Sequence, residues 1–228
     1  MKNTRYTHLL AALILTTLVI SACGLPSFLS GGSTMRGSGN VITQEEAITS
    51  FDRLDISHGF QVDIQQGETF SVIIRVDDNL VDQVQVVKEG STLKIGLEPG
   101  RSYNITDATL EADVTMPVLT GADLSSGSHL RGEVEAGDIT FKLSGGSHVT
   151  LSGSAGDLAV EADGGSHAKL GDLAVVDANV EARGGSHVTV NPSGRLDAVA
   201  KGGSQVSYLG NPTLGTIDTD GGSSFQQE

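Results

Sequence analysis

A serine followed directly by a histidine occurs four times in the second half of the chain, in "SGSHL", "GGSHV", "GGSHA" and again "GGSHV". The serines are Ser128, Ser147, Ser166 and Ser186, and the histidines are His129, His148, His167 and His187. A histidine activates a nucleophilic serine when its ring nitrogen lies roughly 2.6 to 3.2 Å from the hydroxyl. Imidazole is also the commonest metal ligand in proteins. The residue types alone therefore indicate a hydrolase or a metal site. Which of these is possible depends on how the secondary structure orients the two side chains.

The motif belongs to an internal repeat. Its serine recurs at Ser128, Ser147, Ser166, Ser186, Ser204 and Ser223, at intervals of 19, 19, 20, 18 and 19 residues. Alternating apolar runs such as "FQVDIQQ" and "FSVIIRV" predict half-buried strands, separated by Gly, Asn and Asp turns. So short a period is atypical of helical repeats and suits two or three strands wound into one coil. We therefore predict an all-β fold, a parallel β-helix (β-solenoid) with coils of about 19 residues.

Alternation also predicts the core of the repeats. A strand begins nine residues before the serine of a repeat, and its first, third and fifth apolar positions should point inward. These positions are Ile139, Phe141 and Leu143; Leu158, Val160 and Ala162; Ala178, Val180 and Ala182; and Leu196, Ala198 and Ala200. With 4% aromatic residues and no Trp, the core must be thin and built from aliphatic side chains.

The same alternation separates the serine from its histidine. Adjacent residues of a strand point to opposite faces, so Ser147 should share the inner face with Val149 while His148 faces solvent. A hydroxyl and an imidazole placed back to back cannot exchange a proton. We expect the serine hydroxyl to bond the backbone of its turn, and Ser-His hydrolase chemistry is excluded.

The four histidines His129, His148, His167 and His187 should then form an outward row, with Cβ atoms about 5 Å apart. Two neighbouring rings could tilt together to bind a transition metal such as zinc or copper. The alternative is a solvent-exposed row that serves packing and register. No other cofactor is predicted.

The glycines before the serine have a structural explanation. A tight corner of a coil needs backbone with positive φ, which glycine adopts without steric cost. The predicted corner residues are Gly146, Gly165, Gly185, Gly203 and Gly222, each preceded by a second glycine. A phosphate-binding loop would need a helix after the glycines, and no helical pattern follows them.

Charged residues should line the outward face of the other strands. Lys142, Glu161, Glu181 and Asp218 form one predicted column. Across neighbouring coils we expect the pairs Lys142–Glu161, Asp163–Arg183 and Lys201–Asp220. The carboxylates Glu161 and Glu181 also support an alternative function, a polysaccharide hydrolase or lyase, but the constant repeat length leaves no long loops to build a cleft.

The N-terminus predicts export. Lys2 and Arg5 precede a short apolar run that ends at "ISACG", so residues 1–22 read as a signal peptide. The segment Ile20 to Cys23 resembles the lipobox of bacterial lipoproteins, in which the cysteine is lipidated, and Cys23 is the only cysteine of the chain. Residues 23–47 then form the lipidated cysteine and a flexible Gly/Ser-rich tether. Residues 48–228 form one β-helix domain, with lead-in coils at 48–120 and regular repeats at 121–228.

The chain carries a net charge of −14, and loss of Lys2 and Arg5 leaves 12 Lys and Arg against 28 Asp and Glu, a net −16. Such a surface repels phosphate backbones, so nucleic acid is excluded as a partner.

Three segments carry a resemblance to a known family: "FDRLDISHGFQVDIQQGE", "DDNLVDQVQVVKEGSTLKIGLEP" and the late "VSYLGNP", with the recurrent Ser/Gly corners between them. Together they resemble the DUF2807 family, described as putative auto-transporter adhesin, head GIN domain, over residues 41–224. The resemblance implies a right-handed parallel β-helix on a secreted or surface-anchored bacterial protein, and it supplies no catalytic residues. The chain departs from the family's usual corner in the histidine that follows the serine four times.

These observations predict a lipid-anchored module of the bacterial envelope or cell surface. It would attach to the membrane through the lipid on Cys23 and bind an envelope or surface protein or a glycan, without enzymatic activity. Weak end-to-end self-association is expected as well, because the final strands of the stack would present unpaired edges.

Overall fold

The computed structural model describes residues 34–100 and 103–228. Cys23, the signal peptide and the first part of the predicted tether lie outside the described residues. Within them, strands predominate and the single helix is a short 3₁₀ segment, Asp78–Gln83. The all-β prediction is therefore confirmed. No helix of the described part is long and apolar enough to cross a membrane.

The strands fall into a lead-in and a regular part. The lead-in contains β1 (Thr34–Arg36), β2 (Val41–Glu45), β3 (Arg53–Ile56), β4 (Gln61–Gln66), β5 (Ser71–Asp77), β6 (Val84–Glu89), β7 (Thr92–Leu97), β8 (Asn104–Thr106) and β9 (Leu110–Met116). The regular part begins with β10 (Gly121–Leu124), β11 (His129–Glu135), β12 (Ile139–Leu143), β13 (His148–Ser154), β14 (Leu158–Ala162) and β15 (His167–Val175). It continues with β16 (Ala178–Ala182), β17 (His187–Pro192), β18 (Arg195–Ala200), β19 (Gln205–Tyr208), β20 (Thr213–Thr219) and β21 (Ser224–Gln227).

Consecutive strands of the regular part alternate between two long sheets. The nine-stranded sheet has the order β20-β18-β16-β14-β12-β10-β3-β7-β6, and the ten-stranded sheet has the order β2-β5-β9-β4-β11-β13-β15-β17-β19-β21. From β12 onward each strand pairs in parallel with the strand two places earlier in the chain, whereas β10 and β11 also pair in parallel with β3 and β4 of the lead-in. His129 pairs with His148, and His148 with His167, so the register advances by one sequence repeat per rung.

The buried side chains of both sheets form one core. All twelve positions predicted to point inward in β12, β14, β16 and β18 are at most 4% exposed, which confirms that prediction. They are mostly small, because the two sheets pack closely and leave room for Val, Leu and Ala. Phe141 is the one aromatic side chain among them.

The lead-in corrects two predictions. Val41–Glu45, placed in the tether, is a strand that pairs antiparallel with β5, so the boundary predicted at residue 47 is wrong. The lead-in is also not a series of parallel coils, since β5 runs antiparallel to β9 and β6 runs antiparallel to β7. A two-residue loop beginning with Gly90, at φ 61°, joins β6 to β7. Such a loop permits only an antiparallel hairpin, a signal present in "EGST".

At the other end, β20 and β21 are the outermost strands of their sheets in the described chain. The apolar side chain of Leu214 in β20 is 45% exposed. The self-association expected at these strands stays a prediction.

Candidate functional site

From the second repeat onward the chain turns from the nine-stranded to the ten-stranded sheet through a pair of glycines, whereas the first corner has Ser126 and Gly127, at φ 57° and 75°. Gly146, Gly165, Gly185, Gly203 and Gly222 have φ between 77° and 80°, and the glycines before them have φ between 61° and 67°. Two successive left-handed residues are costly for any side chain with a Cβ, which explains the double glycine. The corner fixes where the following strand begins, and therefore places serine and histidine at the same point of every rung.

The serines of these corners are internal. Ser128, Ser147, Ser166 and Ser186 are fully buried, and Ser204 is 1% exposed. The Ser166 hydroxyl donates to the Asp163 carbonyl at 2.7 Å, and the Ser186 hydroxyl accepts the Ser166 amide at 3.2 Å. The Ser147 hydroxyl likewise donates to the Ser144 carbonyl. These serine hydroxyls are buried and bond the backbone of their corners, as expected. They lie on the face of the sheet opposite to the histidines.

The histidines His129, His148, His167 and His187 lie on the outer face of the ten-stranded sheet as one stacked row, called here the histidine row. Successive ring centroids are 4.5, 4.7 and 4.9 Å apart, with interplanar angles of 5°, 9° and 5°. His148 and His167 are half-buried by their neighbours, and His129 and His187 are exposed.

Stacking opposes the metal hypothesis. The lone pair of an imidazole nitrogen lies in the ring plane, so parallel rings direct their lone pairs side by side rather than toward one point. Among the described residues no group of three or more His, Cys, Asp or Glu side chains is arranged to hold a metal ion. The stacked geometry thus does not favour a metal bound between two neighbouring rings, and the metal site at the histidine row stays a prediction.

Partial burial lowers the pKa of His129 and of His167 below the usual 6.5. The charge that His148 would carry lowers the pKa of both rings further, and for His129 a backbone hydrogen bond at Gly127 opposes the shift. Both shifts favour the neutral form of His129 and His167, which is the form in which stacked rings do not repel one another.

A second outward column runs beside the histidine row, two residues later in each strand. It consists of Arg131, Thr150, Lys169 and Thr189, which pair in register through β11, β13, β15 and β17. Arg131 forms an ion pair with Asp63 of β4, whereas Lys169 makes no salt bridge within the described residues. We call the histidine row and this column together the histidine face. Gln61 and Gln205 continue the row at its two ends.

The outer face of the nine-stranded sheet has a different character. Lys142 contacts Glu161 at 3.3 Å in the neighbouring strand, as predicted. The two other expected pairs are wrong, because Arg183 binds Glu181, two residues earlier in its own repeat, and Lys201 contacts Asp218 at 3.3 Å instead of Asp220. Both cations directly follow the end of a strand, and their long side chains reach back along the sheet to these carboxylates.

The carboxylates proposed for the enzymatic alternative lie beside one another in neighbouring strands of this sheet. Glu161 and Glu181 are paired in register, but each also contacts a cation of the same face. The depression that contains Glu161 is open and measures about 340 Å³. A larger groove of about 940 Å³ lies where the neighbouring strands β4 and β11 end, lined by Gln65, Glu68, Glu133 and Glu135 among others.

Sequence reasoning missed one serine-histidine pair. Ser57 and His58 lie in the lead-in, with the Ser57 hydroxyl 2.8 Å from Nδ1 of His58. The back-to-back rule fails here because His58 is a turn residue with φ 61°, not part of a strand. The Leu97 amide also donates to this nitrogen at 3.3 Å, and burial lowers the pKa of His58. In the register in which Gln61 pairs with His129, His58 and Gly59 stand where Ser126 and Gly127 stand in the first repeat, and both pairs have positive φ. The glycine directly before the strand "FQVDIQQ" could have indicated this turn.

With this geometry in view, the comparisons give the class of the protein. The family model described as putative auto-transporter adhesin, head GIN domain, matches residues 50–212, and the chain belongs to this DUF2807 family. No functionally curated protein has a sequence that matches the chain.

Two solved structures share the fold. A crystal structure titled "putative adhesin" from Bacteroides fragilis is 19% identical, with a TM-score of 0.66 over 85% of this chain and 100% of that one. A structure titled "putative lipid binding protein" from Parabacteroides distasonis is 16% identical, with a TM-score of 0.51 over 86% of this chain and 99% of that one.

Proposed function

We propose that the protein is a non-enzymatic binding module of the bacterial envelope or cell surface, anchored by lipid and presenting a flat β-sheet face to its partner. Membership of an adhesin-described family supports an adhesion-type role. The observation that carries the proposal is the histidine row of this face, where the same side chain repeats in register over β11, β13, β15 and β17. A long regular surface of this kind suits extended contact better than the enclosure of a small substrate.

We infer further that the regular part is a right-handed parallel β-helix with coils of about 19 residues. The alternation of strands between two sheets supports this, as does parallel pairing at one repeat per rung. The known preference for right-handed crossovers between parallel strands supports the hand.

The anchor is a separate proposal, which rests on the lipobox-like segment before Cys23. Several acyl chains on one residue would hold the protein at a membrane, since each buried CH₂ contributes about 0.8 kcal/mol. Replacing Cys23 by Ser should move the protein from the membrane fraction to the soluble fraction of cells. Retention of the variant in the membrane fraction would contradict the anchor.

Binding is tested by applying glycans and envelope proteins to the purified, immobilised chain and measuring retention by surface plasmon resonance. We expect saturable retention of at least one class, lost when Thr150→Glu and Thr189→Glu place charges on the histidine face. The matched control is Thr140→Glu on the nine-stranded sheet, which should leave retention unchanged. Absence of saturable retention of any glycan or envelope protein would contradict the proposal.

The enzymatic alternative, an envelope polysaccharide hydrolase or lyase, is tested with a polysaccharide panel. Released reducing ends or unsaturated products that disappear in a Glu161→Gln/Glu181→Gln variant would replace the binding module by an enzyme. We expect no such products, because both carboxylates are engaged with cations.

A further inference from the structure

We propose that the histidine face binds a linear polysaccharide that carries carboxylate groups, lying along the stack and across the strands. This inference rests on the proposed function and deepens it, since it names the chemical class of the partner. Three observations carry it: the spacing of the rings, the charge of the face and the neighbours of the row.

The spacing favours a polymer with a short repeat. Four ring edges follow one another at 4.5 to 4.9 Å, and a parallel column of Arg131, Thr150, Lys169 and Thr189 accompanies them at the same interval. The two columns together present nitrogen and hydroxyl groups in a ladder. Successive rings of an extended polysaccharide advance by a comparable distance, so one sugar can meet one rung, and the contacts add along the chain.

The charge of the face favours an anionic chain. The protein as a whole carries −14, yet the two columns contain the cations Arg131 and Lys169 and no carboxylate. Lys169 makes no salt bridge in the described chain and is exposed. Glu133 and Asp172 lie beyond these columns. Arg131 is already paired with Asp63, which lies beside it in register, so Lys169 is the cation of the histidine face that has no salt bridge in the described chain. Protonation of the rings adds positive charge next to Lys169, and the face then complements carboxylates.

The neighbours of the row make the interaction dependent on pH. Gln61 of β4 and Gln205 of β19, at its ends, do not titrate. The facing charged groups are Lys169 of β15, Arg131 of β11 and its partner Asp63 of β4, with Glu111 and Asp113 of β9 held by Arg75 one strand further. Without a ligand, acidification puts like charges on stacked rings. A bound carboxylate chain supplies the counter-charge, so binding and protonation should favour one another.

The test uses the purified full chain and polygalacturonate, with fully methyl-esterified polygalacturonate as the matched control that keeps the backbone and removes the charge. Binding is measured by calorimetry at about pH 7.5 and about pH 5.5, on either side of the usual imidazole pKa. We expect polygalacturonate to bind about tenfold more tightly at the lower pH, with net proton uptake. The ester should bind at neither pH.

Variants locate the site. His148→Gln with His167→Gln should abolish the pH dependence and weaken binding at the lower pH, and the fold should tolerate it because Gln61 and Gln205 already occupy this row. Lys169→Gln should weaken binding at both pH values. Lys142→Gln removes the same charge from the other sheet and should have no effect.

Equal binding of the ester, equal binding by the histidine variant, or no polygalacturonate binding at either pH would overturn the inference. Saturable retention of some other glycan or protein, still sensitive to Thr150→Glu and Thr189→Glu, would show that the binding function holds while the polymer class is wrong. Loss of that retention as well would contradict both the binding function and the proposed class of polymer.

Discussion

The two outer faces of the regular part follow one construction rule and reach opposite chemistry. In both sheets, parallel pairing places each residue beside its equivalent in the next repeat. On the ten-stranded sheet the equivalents are identical neutral rings, which stack at 4.5 to 4.9 Å. On the nine-stranded sheet they are charged, and cations and anions contact one another, as Lys142 does Glu161.

The difference shows what in-register stacking demands of a side chain. A repeated neutral ring gains contacts from its copies, whereas a repeated charge would meet its own sign one strand spacing away. The charged face is therefore mixed in sequence except at Glu161 and Glu181, which lie in register and each contact a cation. The histidine row can be uniform because an imidazole, unlike a carboxylate or an ammonium group, carries no permanent charge. A polymer with a repeat of similar length can make the same contact with every residue of such a uniform column.

The largest expected effect concerns the corner that joins the two faces. Gly165 has φ 78°, and no atom lies within 4 Å of the position that a Cβ would occupy. A substitution there therefore acts through the backbone conformation and not through a steric clash. Gly165→Val should lower the free energy of unfolding by about 2 kcal/mol, measured by urea denaturation, because a β-branched residue resists the left-handed region. Gly165→Asn should lose less than half as much. If both variants lose the same free energy of unfolding, the glycine is required by contacts at this position and not by its left-handed backbone conformation.

A permanent charge in the histidine row should break its uniformity. The double change His148→Lys/His167→Lys places two ammonium groups on adjacent strands beside Lys169, and should lower the free energy of unfolding by about 1 kcal/mol at neutral pH. Added salt should recover part of the loss, since exposed charges are screened. A variant as stable as the parent in low salt would contradict the account of the face.

Acidification is the milder form of the same change. Because the pKa values of His129 and His167 lie below the usual 6.5, the unfolded chain binds more protons as the pH falls through about 6.5. Their contribution is fully present above that pH and is lost below it. Urea midpoints should fall between about pH 7.5 and about pH 5.5, and His148→Gln/His167→Gln should flatten the fall. An unchanged slope in the variant would place the titrating groups elsewhere.

The smallest effect is expected on the charged face. Exchanging the partners, Lys142→Glu with Glu161→Lys, keeps one opposite pair and should change stability by less than about 0.5 kcal/mol. Lys142→Glu alone should cost up to about 1 kcal/mol, because it places like charges opposite one another. Thermal unfolding of the three proteins measures both. If the double variant is no more stable than Lys142→Glu alone, the interaction between residues 142 and 161 is contradicted.

Much of the site could be read from the chain because the repeat fixes it. Once Ser128, Ser147, Ser166 and Ser186 define a period, alternation dictates that the serines are internal and the histidines external, and the structure places them so. Ring stacking could not be derived, because alternation sets the side of the sheet but not the side-chain rotation. That rotation distinguishes a row of parallel edges from a pair of rings converging on a metal.

The sequence by itself determined the strands of the repeats, the inward positions from Ile139 to Ala200 and the left-handed glycines of the corners, since each follows from local periodicity or from backbone sterics. Only the tertiary structure decided the partners of Arg183 and Lys201, the antiparallel pairing of β5 with β9, and the Ser57–His58 contact. The pairing of β5 and the partner of Lys201 depend on which strand edge or side chain is within reach across a long stretch of sequence. The contacts Arg183–Glu181 and Ser57–His58 join close neighbours in sequence, but they depend on side-chain rotation and turn conformation, which local periodicity does not set.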